Sequence, residues 1–170
     1  MIVWAGLAWA APAENFADDA AQPVPNLVEI RKLPIGLEVS HNPHPVYAME
    51  KGRSGFAYTW LYQTKVKATE KPLQIVEFGA FIRDGNRWVF GNYTGKPFTP
   101  EDFADWYSCQ DANLELGEVY ADPLNWSGSD KLRESLSIWY YIAEDAEGNR
   151  YYGEAPIQQL AELRDPGEAI

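Results

Sequence analysis

The segment His41-Asn42-Pro43-His44 holds both histidines of this 170-residue chain. Imidazole is the commonest neutral metal ligand, and Met49 and Glu50 follow closely, so His41 and His44 are the candidate metal ligands. Two facts weigh against them. An H-x-x-H spacing in a proline-bent turn does not set two rings on one helix face, and no third ligand stands at a characteristic spacing. An ordinary surface turn accounts for the same residues. Asp111, Asn113 and Glu115 alternate like a calcium loop, but Leu116 stands where that loop needs glycine, which excludes an EF-hand. Asp122, Asn125 and Asp130 offer oxygen ligands in a stretch rich in turn signals, Asp-Pro and Ser-Gly. Gly91 to Lys96 reads GNYTGK, one residue short of a phosphate-binding loop and followed by Pro97, so nucleotide binding is excluded. No cofactor is expected.

Glu101, Asp102 and Asp105 cluster, yet a helix cap explains the first two. A glycosidase needs two carboxylates facing each other across a cleft, which spacing alone does not supply. No motif surrounds a serine, histidine and aspartate together. Cys109 is the only cysteine. It excludes an intrachain disulfide and a thiolate zinc cluster, and it reads as a small buried apolar residue.

Aromatic residues make up 14% of the chain, and they are the most informative set. Trp126 stands beside Asn125 in the turn-rich stretch, with no periodicity to bury it. Trp106 and Tyr107 belong to a short helix. Tyr151 and Tyr152 are adjacent, so on a strand they point to opposite faces. Exposed aromatic faces stack on sugar rings or grip a partner protein. Trp126, Asn125, Trp106 and Tyr107 are therefore the candidate ligand-binding residues. The competing reading folds Trp126 back as a plug over the end of the domain. Asn92-Tyr93-Thr94 and Asn125-Trp126-Ser127 also match the glycosylation sequon, a pattern frequent by chance.

The elements that must hold these residues are mostly strands. Leu73 to Phe90 folds back on Asp84-Gly85-Asn86, and Ile138 to Tyr152 folds back on Glu147-Gly148-Asn149. Each turn has glycine and asparagine where a tight reversal needs positive φ. Phe56 to Ala68 alternates with period two. Leu73 to Ile82 is apolar on both faces, as in a strand covered twice. Leu27 to Val39 reads as one or two short strands, His41 to Pro45 as a turn, Gly117 to Ala121 as a strand, and Asp122 to Asp130 as a loop. Leu132 to Ile142 and Asn149 to Ile157 complete the pattern. Thr99 caps a helix that runs to about Ser108, with Pro100 first, Glu101 and Asp102 on its dipole, and Phe98 placed to meet Phe103. The sum is an all-β immunoglobulin- or fibronectin-like β-sandwich of about seven strands with one short inserted helix near 99–108.

Residues 27–160 form this single domain, with 161–170 as a flexible tail. Residues 1–26 join a linker to Met1–Ala13, whose apolar run and Ala11-Pro12-Ala13 resemble a signal peptide without its basic start. That pattern points to an extracytoplasmic, periplasmic or secreted location. The formal net charge of −11 excludes nucleic acid as a partner, and no stretch is long enough to span a bilayer. The residues thus describe a non-catalytic exported module that binds a protein or glycan. The alternative is a metal-binding or hydrolytic enzyme of unfamiliar type, built on the His41/His44 turn or the acidic 122–130 loop.

Overall fold

The computed structural model describes residues 24–51 and 53–164. Its elements in chain order are α1 (Leu27–Ile30), β1 (Leu37–Asn42), β2 (Val46–Glu50), β3 (Tyr58–Ala68), β4 (Leu73–Asp84), β5 (Arg87–Phe90), α2 (Pro100–Tyr107), β6 (Asn113–Leu114), β7 (Val119–Ser129), β8 (Ser135–Glu144) and β9 (Arg150–Leu163). The protein is mostly β, and the nine strands among the described residues join one open mixed sheet ordered β1-β3-β2-β9-β8-β4-β5. β6 pairs with β4, and β7 pairs with β3. The signal-like segment lies outside the described residues. No helix among them is long and apolar enough to cross a membrane.

Both glycine turns form as the sequence dictates. Gly85 and Gly148 take positive φ, and the flanking strands pair in antiparallel register. Asp145 organises the second turn. Its carboxylate accepts hydrogen bonds from Glu147 N, Asn149 N and Nδ2, Lys71 Nζ and Tyr151 OH. Burial alone would raise its pKa, but the bonds from Asn149, Lys71 and Tyr151 outweigh that and hold it well below the usual carboxylate range.

β4 and β8 are buried on both faces. On β8, Trp139, Tyr141 and Ala143 enter the main core, while Ile138, Tyr140 and Ile142 meet a second cluster with Leu27 and Ile30 of α1. α1 replaces the strand expected from Leu27, because Asn26 caps it by accepting from Val28 N and its two buried side chains cover the sheet. Tyr151 and Tyr152 pack against different clusters, so each face of β9 is covered.

The main core forms because the sheet curls over. β3 and β8 are not neighbours in the sheet, yet Trp139 Nε1 donates to Tyr62 OH at 2.8 Å across the interior. Phe78 of β4 is the hub, with Phe98, Phe103, Trp106, Tyr107, Trp139 and Tyr141 around it. α2 starts as expected, with Thr99 and Asp102 in a capping box. Phe98 packs on Trp106 with ring centroids 4.7 Å apart, and it reaches Phe103 through their shared neighbour Phe78.

Three departures from the sequence reading matter for the site. His41 to Pro45 is not a reversal. β1 and β2 both run antiparallel to β3, and residues 43–45 are an excursion from one broken strand. Asp122 to Asp130 is not a loop, since Val119–Ser129 pairs with β3 along its length. Finally, β9 continues to Leu163, which pairs in parallel with Ala48, so residues 161–163 belong to the sheet rather than to a tail.

Candidate functional site

β7 carries the key irregularity. Thr64 faces Asp122 and Tyr62 faces Asn125, so one extra residue on β7 forms a bulge at Pro123-Leu124. In a regular strand, positions three apart point to opposite faces. The bulge puts Asp122 and Asn125 on the same, buried face. It also explains the proline, which a strand tolerates at an edge or a bulge.

A cavity of about 770 Å³ opens between this strand and the opposite half of the sheet. β7 lines it with Asp122, Asn125, Trp126 and Ser127, and β3 with Tyr62. β8 contributes Ser137 and Trp139, and α2 contributes Trp106. Phe56 and Tyr93 border it from the segments that precede β3 and follow β5. A Cβ at Gly128 would run into the Phe56 ring, which packs towards Trp126 at 6.2 Å, so a larger residue there would displace that ring.

Three of the four expected binding residues therefore share one concavity, in different roles. Trp106 and Trp126 are half-buried walls. Asn125 is buried and committed to structure. Its Nδ2 donates to Thr64 Oγ1 at 2.8 Å, and its Oδ1 accepts from Trp126 N. Tyr107 does not line the cavity. It is buried, its ring stacks on Phe103 at 4.1 Å, and its hydroxyl bonds that of Tyr141. Phe103 and Tyr107, four residues apart, lie on the face that α2 turns to the core. Both sequon asparagines are buried with engaged amides; Asn92 accepts from Ala80 N and donates to Lys96 O.

The histidines lie elsewhere and apart. His44 is exposed on the 43–45 excursion. His41 is on β1, edge-on to Tyr62, with Nδ1 3.0 Å from Thr64 Oγ1 and Nε2 3.2 Å from the Ala155 carbonyl. A carbonyl only accepts, so Nε2 carries the proton and Nδ1 accepts from Thr64. Burial lowers the His41 pKa to about 4, against the Ala155 bond that favours the charged form. Both ring nitrogens are thus occupied. Among the described residues, no group of three or more His, Cys, Asp or Glu is arranged to hold a metal. Asp130 is exposed beyond the end of β7 and accepts weakly from Ala57 N, so the expected acidic cluster with Asp122 does not assemble. Burial pushes the Cys109 thiol up to about 11, and it donates to Asn113 O.

Asp122 is the one carboxylate lining the cavity among the described residues. It is 9% exposed, and Leu124 N donates to its Oδ1 at 3.0 Å. Burial raises its pKa, while the Leu124 bond and Arg53 act the other way. Its charge adds to the burial that raises the phenols of Tyr62, Tyr107 and Tyr141. Behind the wall, Gln159 is fully buried. It accepts from Ser135 and donates to Ser127 at 3.0 Å, which fixes Ser127 at the cavity. One carboxylate without a facing partner gives no acid–base pair. The arrangement can instead hold a ligand between ring faces and a few polar groups.

Sequence reasoning missed Tyr62, Trp139, Ser137, Phe56 and Gly128. The inward parity of Tyr62 on β3 was readable, but which far strand it would face was not.

No family model matches this chain, and no curated protein matches it. Among the solved structures that resemble it are two of similar fold. One is a candidate ApaA protein from Bordetella pertussis, 17% identical, with a TM-score of 0.46 over 78% of this chain and 98% of that one. The other is a structural-genomics target solved by X-ray crystallography, 14% identical, with a TM-score of 0.48 over 81% of this chain and 93% of that one.

Proposed function

We propose that this protein is a non-catalytic binding module, a two-layered sandwich of the fibronectin-like kind, that receives a group of its protein or glycan partner in the aromatic cavity. One observation carries the reading. Trp106, Trp126 and Trp139 come from three separate elements and line one concavity of about 770 Å³. That volume lies in the range of small-ligand sites, which are mostly apolar with a few placed polar groups. Amphipathic rings at such a site supply contact area at little entropic cost.

The test is Trp126→Ala, followed by thermal melting and by binding to glycan and peptide arrays. Truncating a fully buried tryptophan costs about 3–5 kcal/mol. Trp126 is half-buried, so the melting point should fall by less than that implies, while the ligand found for the wild type loses tenfold or more in affinity. A wild-type protein that binds nothing on either array, or a variant that melts early yet binds unchanged, contradicts the reading.

A further inference from the structure

We infer that the cavity takes an organic cation, a quaternary or protonated amine, seated among the tryptophan faces with Asp122 as its counter-ion. This rests on the binding reading above and specifies its ligand chemistry.

The argument starts from Asp122. The β7 bulge turns it inward, opposite the buried Thr64, and only 9% of it is exposed. A carboxylate that far from water is costly unless a cation or several donors compensate it. Its Oδ1 has one donor, the Leu124 backbone. Arg53 is the cation nearby, but it is exposed, its Nη1 donates to the Leu124 carbonyl at 3.2 Å, and it does not line the cavity. No lysine, arginine or histidine lines the cavity among the described residues, so its walls carry one negative charge and no positive one.

The rest of the wall suits the same ligand. Cations are attracted to the faces of aromatic rings, tryptophan most strongly, and quaternary ammonium groups are typically held in cages of such rings. Trp106, Trp126, Trp139, Tyr62, Tyr93 and Phe56 all border this space. The cavity is larger than one ammonium group, so it leaves room for the carbon chain that bears it. The protein's net charge of −11 draws cations towards it. A free amine and the modified lysine of a partner protein present this same head group.

The experiment titrates the full chain with choline and with neohexanol, its uncharged isostere with carbon in place of nitrogen, following tryptophan fluorescence and heat. Choline should bind at least tenfold tighter. Asp122→Asn keeps an acceptor for Leu124 N and should erase that preference while the fold, checked by melting, persists. The choline-to-neohexanol ratio needs only the wild type, so it stands even if the variant does not fold. A trimethyllysine peptide that binds tighter than choline assigns the head group to a protein partner; equal affinity assigns recognition to the head group alone. Neohexanol binding as tightly as choline, a preference that survives Asp122→Asn, or no choline binding up to about 100 mM overturns the inference. If an array ligand of the wild type still binds in those cases, the binding reading stands and only the cation assignment falls.

Discussion

His41 illustrates how a residue with familiar chemistry can be taken out of service by its neighbours. The relay Asn125–Thr64–His41–Ala155 links β7, β3, β1 and β9 through one imidazole that must stay neutral. Its pKa falls from an ordinary 6.5 to about 4 on folding, so the unfolded chain binds the extra proton between those values. Stability is therefore full above about pH 6.5 and declines as pH falls towards 4, by up to about 1.4 kcal/mol per pH unit from this group. Asp122 and Glu77, whose pKa values burial raises, act in the opposite sense. Asp145 adds its own loss only as pH drops through the ordinary carboxylate range. The comparison that isolates His41 is urea denaturation of the wild type and of His41→Gln at several pH values. The wild type should show the steeper loss between pH 6.5 and 4, and parallel curves would contradict the neutral buried imidazole.

Among the elements, those with local signals were legible and those shaped by distant partners were not. The two glycine turns, the double-sided burial of β4 and the capped α2 follow from chemistry within a few residues. β7 was hidden because Asp-Pro and Ser-Gly are turn signals. In the folded chain the first marks a bulge, and the second places Gly128 under the Phe56 ring. Residues 43–45 were misjudged for a related reason: prolines interrupt a strand's hydrogen bonding whether or not the chain reverses. The close approach of β1 to β9 depends on Gly153 of β9. A Cβ there would stand 2.5 Å from the Leu37 carbonyl oxygen, which is backbone and cannot rotate away. Gly153→Ala should cost about 1–3 kcal/mol, in the manner of an overpacked core. Equilibrium denaturation measures this, and an unchanged midpoint would show that β1 and β9 do not approach so closely.

For the whole molecule, the sequence conveyed a β-rich, aromatic, acidic domain. It could not show that β3 and β7 would curl to face β4 and β8. That curl converts three scattered tryptophans into the wall of one cavity, and it leaves Asp122 inside and His44 outside. Trp60 and Trp88 serve as internal controls. Trp60 is buried with its indole donating to Leu160 O, and Trp88 packs in the second cluster under Arg83. The most direct test follows the indole N–H signals by two-dimensional NMR as choline, or the ligand found on the arrays, is added. Shifts at Trp106, Trp126 and Trp139, with Trp60 and Trp88 unmoved, are the expected result. Shifts centred on Trp88, or spread evenly over these five of the chain's seven tryptophans, would contradict a shared cavity as the binding site.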